Sequence, residues 1–117
     1  MAIQWKPLEN LDQIEQIKLR SREIPVLIYK HSNRCHICSI TQFRLEDDWT
    51  FGINEVESYF LDVIAHRPVS LEVANTFKVH HESPQVLLIM DGECFYDASH
   101  LDIQFQELKE EYLAARA

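Results

Sequence analysis

Glycine and proline are scarce in this sequence, 2 and 4 among 117 residues, and no repeat or low-complexity tract interrupts it. A chain so poor in both is neither collagen-like nor a proline-rich disordered segment. With 46% hydrophobic residues it reads as one globular domain spanning residues 1–117. Cations are short as well: 11 Lys and Arg against 19 Asp and Glu leave a formal net charge of −8. That balance repels phosphate backbones and anionic lipid surfaces, so no nucleic-acid or membrane partner is expected. No stretch approaches the about 18 consecutive apolar residues of a membrane span. The opening Met1–Lys6 has neither a charged leader nor the apolar run of a signal peptide, so the expected home is the cytoplasm. Cysteine is sparse too, and three thiols cannot all pair within one chain. In a reducing compartment a Cys-x-x-Cys reads as catalytic or metal-binding rather than as a structural bridge.

What is present is ordered. Leu11 to Ser21 has helical spacing, with Asn10 as N-cap and Gln13 three residues on in a variant capping box. Val26–Lys30, the end of an apolar run from Ile24, predicts a buried strand. From His36 to Asp48, Ile37, Thr41, Leu45 and Trp49 ladder at helical spacing, and Ile40 and Phe43 on other faces predict packing on both sides. Tyr59–Ile64 predicts a second strand, and Ser70 is placed to cap a helix carrying Val73, Ala74 and Phe77. Val86–Met90, Asp91-Gly92 and Cys94–Tyr96 form a hairpin signal. A last helix is expected after Ser99, with Leu101, Phe105, Leu108 and Tyr112 as its apolar stripe. Ser99 and His100 read as its capping residues. Trp5 and Trp49 read as packing residues, and Cys94 as a small apolar residue in a strand. Strand–helix–strand units imply parallel pairing, and the hairpin adds an antiparallel strand. The expected fold is α/β and thioredoxin-like: a mixed four-stranded sheet in three layers, flanked by helices, with an extra N-terminal helix.

Cys35-His-Ile-Cys38 falls where the first strand gives way to a helix. A sulfur at a helix start meets unpaired N–H groups and the positive end of the helix dipole, and both favour thiolate over thiol. The thiolate is the nucleophile of disulfide exchange. Cys35 is the expected attacker, and Cys38, about one helical turn on and deeper, the expected second thiol. Arg34 and His36 are placed to hold the thiolate, the latter only while protonated. His31 and Ser32 are expected to shape the loop beneath. Exchange between sulfurs calls for no cofactor. A haem attachment is excluded because Ser39 stands where histidine is required.

The segment Tyr29-Lys-His-Ser-Asn-Arg-Cys-His-Ile-Cys-Ser39 resembles the active-site stretch of the YtxJ-like proteins, the monothiol bacilliredoxins. Tyr59–Asp62, His81-Glu-Ser-Pro-Gln-Val-Leu-Leu-Ile89, Asp91-Gly92 and Ala98-Ser-His100 are similar to further parts of that family. The resemblance implies a thioredoxin fold and a thiol–disulfide oxidoreductase. Its substrates would be S-thiolated client proteins, mixed disulfides between protein cysteines and bacillithiol, a low-molecular-weight thiol. Cys35 matches the nucleophile. Where the family usually has Pro and Ser, this sequence has His36 and Cys38, which adds a resolving thiol and with it a dithiol route that would need a separate reductant. The resemblance also implies a cis Pro84 facing the thiols, with the Ser83 backbone aimed at the incoming chain as a short pairing strand. His80 and His81 would flank that groove.

Two other classes stay open. Cys35 and Cys38 with His31 or His36, and His80 and His81 elsewhere, offer enough ligands for a zinc-stabilised interaction domain. A redox-inactive thioredoxin-like scaffold that binds peptides beside Pro84 is the other.

Overall fold

Alternation within two strands decides the architecture. The computed structural model describes residues 3–116. Its elements run β1 (Trp5–Pro7), α1 (Asp12–Arg20), β2 (Val26–His31), α2 (His36–Asp48), β3 (Glu57–Asp62), α3 (Arg67–Phe77), β4 (Gln85–Met90), β5 (Glu93–Ser99), a 3₁₀ turn (His100–Asp102) and α4 (Phe105–Arg116). All of β2, and β4 from Gln85 to Ile89, are buried, because both of their faces are covered. Leu27, Tyr29, Val86 and Leu88 pack into a cluster with α2 and α4 residues Leu45, Phe105, Leu108 and Tyr112. Val26, Ile28, Leu87 and Ile89 point the other way, onto Ile14 and Ile17 of α1 and Val69, Val73 and Phe77 of α3. Each fully buried Leu or Ile contributes about 1.5–3 kcal/mol by leaving water, so the sheet sits between two apolar layers of comparable weight.

The sheet order is β1-β3-β2-β4-β5. β1 and β2 lie parallel to β3, β4 is antiparallel to β2, and β5 is antiparallel to β4. This is the expected thioredoxin-like α/β arrangement with one strand more than predicted. Residues 5–7 are too short to show a period, and they hold the sheet edge through pairing with Ser58–Phe60. The Asp91-Gly92 hairpin forms as expected. Both residues take left-handed backbone (φ 53° and 80°), which suits the two-residue turn and explains the glycine. Their N–H groups donate to Ser21 O and Oγ, docking the turn on the end of α1.

The Asn10–Gln13 capping box is present, each backbone N–H donating to the other's side chain at 3.1 Å. Other boundaries differ. β3 ends at Asp62, not Ile64, because the Asp62 carboxylate accepts the N–H groups of Ile64 and Ala65 and turns the chain. α3 starts at Arg67, before Ser70, with Pro68 in its first turn where a fixed φ is suited. Ser70 is therefore inside the helix and buried. α4 starts at Phe105: His100 has φ 56°, the chain makes a 3₁₀ turn, and Leu101 is exposed instead of joining the stripe. Ser99 and His100 cap no helix, and Ser99 Oγ instead accepts from Gln85 Nε2. α2 packs on one side only. Cys38, Thr41 and Leu45 are buried, whereas Ile37, Ile40 and Phe43 are exposed, Phe43 by 69%. No helix among the described residues is long and apolar enough to cross a membrane.

Candidate active site

β2 delivers the chain to the sheet end, and a turn closed by Cys35 N–H to Ser32 O (3.1 Å) starts α2. Cys35 is the N-cap, in extended conformation (φ −104°, ψ 114°) and without a side-chain cap bond. Its sulfur makes no cap bond and stands at the head of a 13-residue helix, beside Cys38 and near the unpaired N–H groups of the first turn. Cys35 is half-buried, Cys38 fully buried, and both are free thiols.

Cys38 Sγ accepts the Ser32 N–H (3.4 Å) and lies 3.6 Å from Ser83 Oγ. Burial pushes the Cys38 thiol up, the bonds from Ser83 and Ser32 pull it back, and neighbouring Cys35 adds to the rise; the net direction is up. Ser83 precedes a cis bond to Pro84, as the family resemblance implied. The segment before β4 lies against Cys38 through Ser83. The His100 N–H donates to Pro84 O (2.9 Å), and His100 Nε2 pairs with Glu82 Oε1 (2.8 Å), which fixes the segment from the β5 side.

Tyr29 lies below the head of α2, fully buried, and its hydroxyl donates to Cys38 O at 2.9 Å. Burial, then the nearby charges of Cys38, Cys35 and Glu46, push its phenol far up, so it remains a donor throughout the accessible range. His31 Nδ1 is 3.5 Å from the same hydroxyl. Burial pushes His31 down, against the opposing Asn33 bond and Asp62 charge. Tyr29 carries a role that its apolar context in the sequence concealed. Only the odd polar atom in a run of core residues signalled it.

The predicted site residues divide. Cys35, Cys38, Ser83 and Pro84 come together. Arg34 and His36 flank Cys35 but are exposed, and neither makes a side-chain hydrogen bond to it among the described residues. Ser32 touches Cys38 through its backbone, and His31 sits beneath as expected. The zinc set does not assemble: no three His, Cys, Asp or Glu side chains among the described residues converge on a common point. His31 turns to Tyr29, His36 to solvent, and His81 to Lys30 (3.1 Å). Cys94 is separate from the site. Its Sγ lies 3.2 Å from Tyr96 O, and burial pushes its thiol to about 11.

Comparison with known proteins supplies a family and a fold. The family model described as Monothiol bacilliredoxin BrxC matches residues 6–108. A solved candidate oxidoreductase with a thioredoxin fold is 28% identical, with a TM-score of 0.75 and 90% of each chain covered. Thioredoxin from Malassezia sympodialis is 16% identical (TM-score 0.74; 97% of this chain and 92% of that one). Thioredoxin from Trypanosoma brucei brucei is 12% identical (TM-score 0.73; 99% and 94%). The last two share the fold alone.

Proposed function

The chain belongs to the monothiol bacilliredoxin family, and from that premise we propose that Cys35 removes a small thiol, of the bacillithiol type, from S-thiolated client proteins in the cytoplasm. The Cys35 thiolate attacks the sulfur of the small thiol in the mixed disulfide. The Cys35–small-thiol disulfide forms, the old disulfide breaks, and the client leaves as a thiolate that takes a proton from water. Two exits follow. A second small-thiol thiolate attacks the bound one, giving its symmetric disulfide and regenerating Cys35. Alternatively Cys38 attacks Cys35, releases the small thiol and leaves a Cys35–Cys38 disulfide for an external reductant system.

One observation carries this reading. A half-exposed sulfur stands at a helix head, its partner thiol is sealed behind it, and a cis-proline segment lies alongside. Ser83, partly exposed just ahead of the cis bond, is the position offered to an extended client segment, with Arg34 and His36 on the rim beside Cys35. Burial pushes the Cys38 thiol up, so the second exit, which needs the Cys38 thiolate, gains weight as pH rises. Purified protein and a bacillithiol-modified client test the assignment. Cys35→Ser should abolish release, while Cys38→Ser should retain most of it. Release by Cys35→Ser at the parental rate would overturn it.

A further inference from the structure

β2 and β4 are apolar along the face toward α3 until they reach the thiol end, where Lys30 and Gln85 stand as cross-strand partners. Both are buried, Lys30 completely. An ammonium taken out of water loses its hydration, and apolar neighbours such as Ile28 show what would pack there without that penalty. Among the described residues Lys30 has no carboxylate partner. Its Nζ donates to Ser70 O (3.0 Å) and meets His81 Nδ1 at 3.1 Å. Gln85 Nε2 donates to His80 O (2.9 Å). Two buried polar side chains on one face thus converge on the same segment, His80–Pro84, whose Ser83 touches Cys38.

The direction of the Lys30 bond fixes a proton. An ammonium only donates, so Nδ1 of His81 is the acceptor and its proton is on Nε2. Ser70 Oγ lies 3.1 Å from the same nitrogen and can rotate its hydroxyl to donate to it. Burial, with the charges of Lys30 and Arg67, pushes His81 down and keeps the ring neutral.

We propose that Lys30 is a positioning residue of the thiol site, acting through His81 from the opposite face of the sheet to hold Ser83 and Pro84 against Cys38. The inference deepens the function proposed above and rests on it for its substrate. Lys30 would set how well a client segment is held, leaving the attacking sulfur untouched.

The test uses the full chain with Lys30→Met, His81→Ala and the double variant. Imidazole ¹⁵N spectra of the parent should show His81 as the Nε2–H tautomer, and Lys30→Met should weaken the hydrogen-bonded Nδ1 signature, leaving Ser70 Oγ as its neighbour. The Cys38 titration, followed through its ¹³Cβ shift, should move up in both single variants as Ser83 withdraws. With a bacillithiol-modified client, KM should rise about tenfold in Lys30→Met, as expected for one lost charged hydrogen bond, with kcat within about twofold. The double variant should be no worse than His81→Ala alone. Additive losses, or an unmoved Cys38 titration in Lys30→Met, would overturn the inference. Should Lys30→Met not fold, an unmoved Cys38 titration in His81→Ala would overturn it equally. The titration needs no substrate, so a parent chain that released no small thiol would contradict the proposed function without touching this reading.

Discussion

Cys38 Sγ and Ser83 Oγ, 45 residues apart in sequence, lie 3.6 Å apart across the gap between α2 and the cis-proline segment. The contact joins the thiol to the surface that would take a client chain, so a change on one side is felt on the other. The hydroxyl donates to the sulfur more strongly when the sulfur is charged, which opposes the rise caused by burial. Ser83→Ala should therefore push the Cys38 thiol further up. Formation of the Cys35–Cys38 disulfide at pH 7 should slow about two- to tenfold, the effect of about 0.5–1.5 kcal/mol for one hydrogen bond. Quenched-flow alkylation checks it; an unchanged rate would remove Ser83 from the account.

The two exits separate by pH. Cys38 is pushed up, so its thiolate is scarce at neutral pH and grows as pH rises. The fraction of turnovers ending in the Cys35–Cys38 disulfide should rise steadily from pH 7 to 9.5. In Cys38→Ser the product should be the symmetric small-thiol disulfide throughout. Mass spectrometry of quenched reactions distinguishes the products, and a disulfide fraction flat with pH would contradict the assignment of Cys38.

Tyr29 bonds the helix carrying both thiols to the sheet. Tyr29→Phe keeps the ring and removes one buried hydrogen bond, leaving Cys38 O without that donor. Urea unfolding should show a loss of about 0.5–1.5 kcal/mol, the net contribution of one hydrogen bond, because Cys38 O keeps its acceptor role within α2. No loss would mean that the phenol bond adds nothing to stability.

Lys30 gives the stability curve a sign. Burial pushes its ammonium from 10.5 to about 8. Between those values the unfolded chain binds more protons than the folded one, so stability rises with pH across that window and is lower below it. The rise should amount to as much as about 3 kcal/mol, and it should be absent from Lys30→Met. Glu57 acts oppositely. Burial raises it, but Lys6 and Arg20 outweigh that and hold it below the usual range. Its contribution is present above the ordinary carboxylate range and is lost as pH falls through the lowered value. Glu57→Gln should remove about 1 kcal/mol at pH 7 and progressively less as the pH falls below the ordinary carboxylate range.

Much of this was legible in the residues themselves. The buried strand, the Asp-Gly hairpin, the Asn10–Gln13 box and the Cys-x-x-Cys junction are local signals, and each stands where its chemistry placed it. The misjudged features depend on contacts distant in sequence. Residues 5–7 become a strand only because β3 has an open edge, and a three-residue strand has no period to detect. Leu101 looks like a stripe residue until His100 adopts left-handed backbone under the pull of Pro84 O and Glu82. Ile37 fits a helical ladder, yet Cys38 rather than Ile37 faces inward. The thiol site followed the same division. The motif names Cys35 and Cys38, whereas the convergence of Tyr29, Ser32 and Ser83 on Cys38 exists only once the sheet is assembled.

One trapping experiment goes to the heart of the chemistry. Cys38→Ser protein is mixed with an equimolar bacillithiol-modified client and quenched with acid, and the adduct is located by peptide mass spectrometry. Attack by Cys35 on the small-thiol sulfur predicts a free client and one bacillithiol on Cys35, with Cys94 unmodified. A client still bearing its bacillithiol, or an adduct on Cys94 with Cys35 left free, would contradict the account.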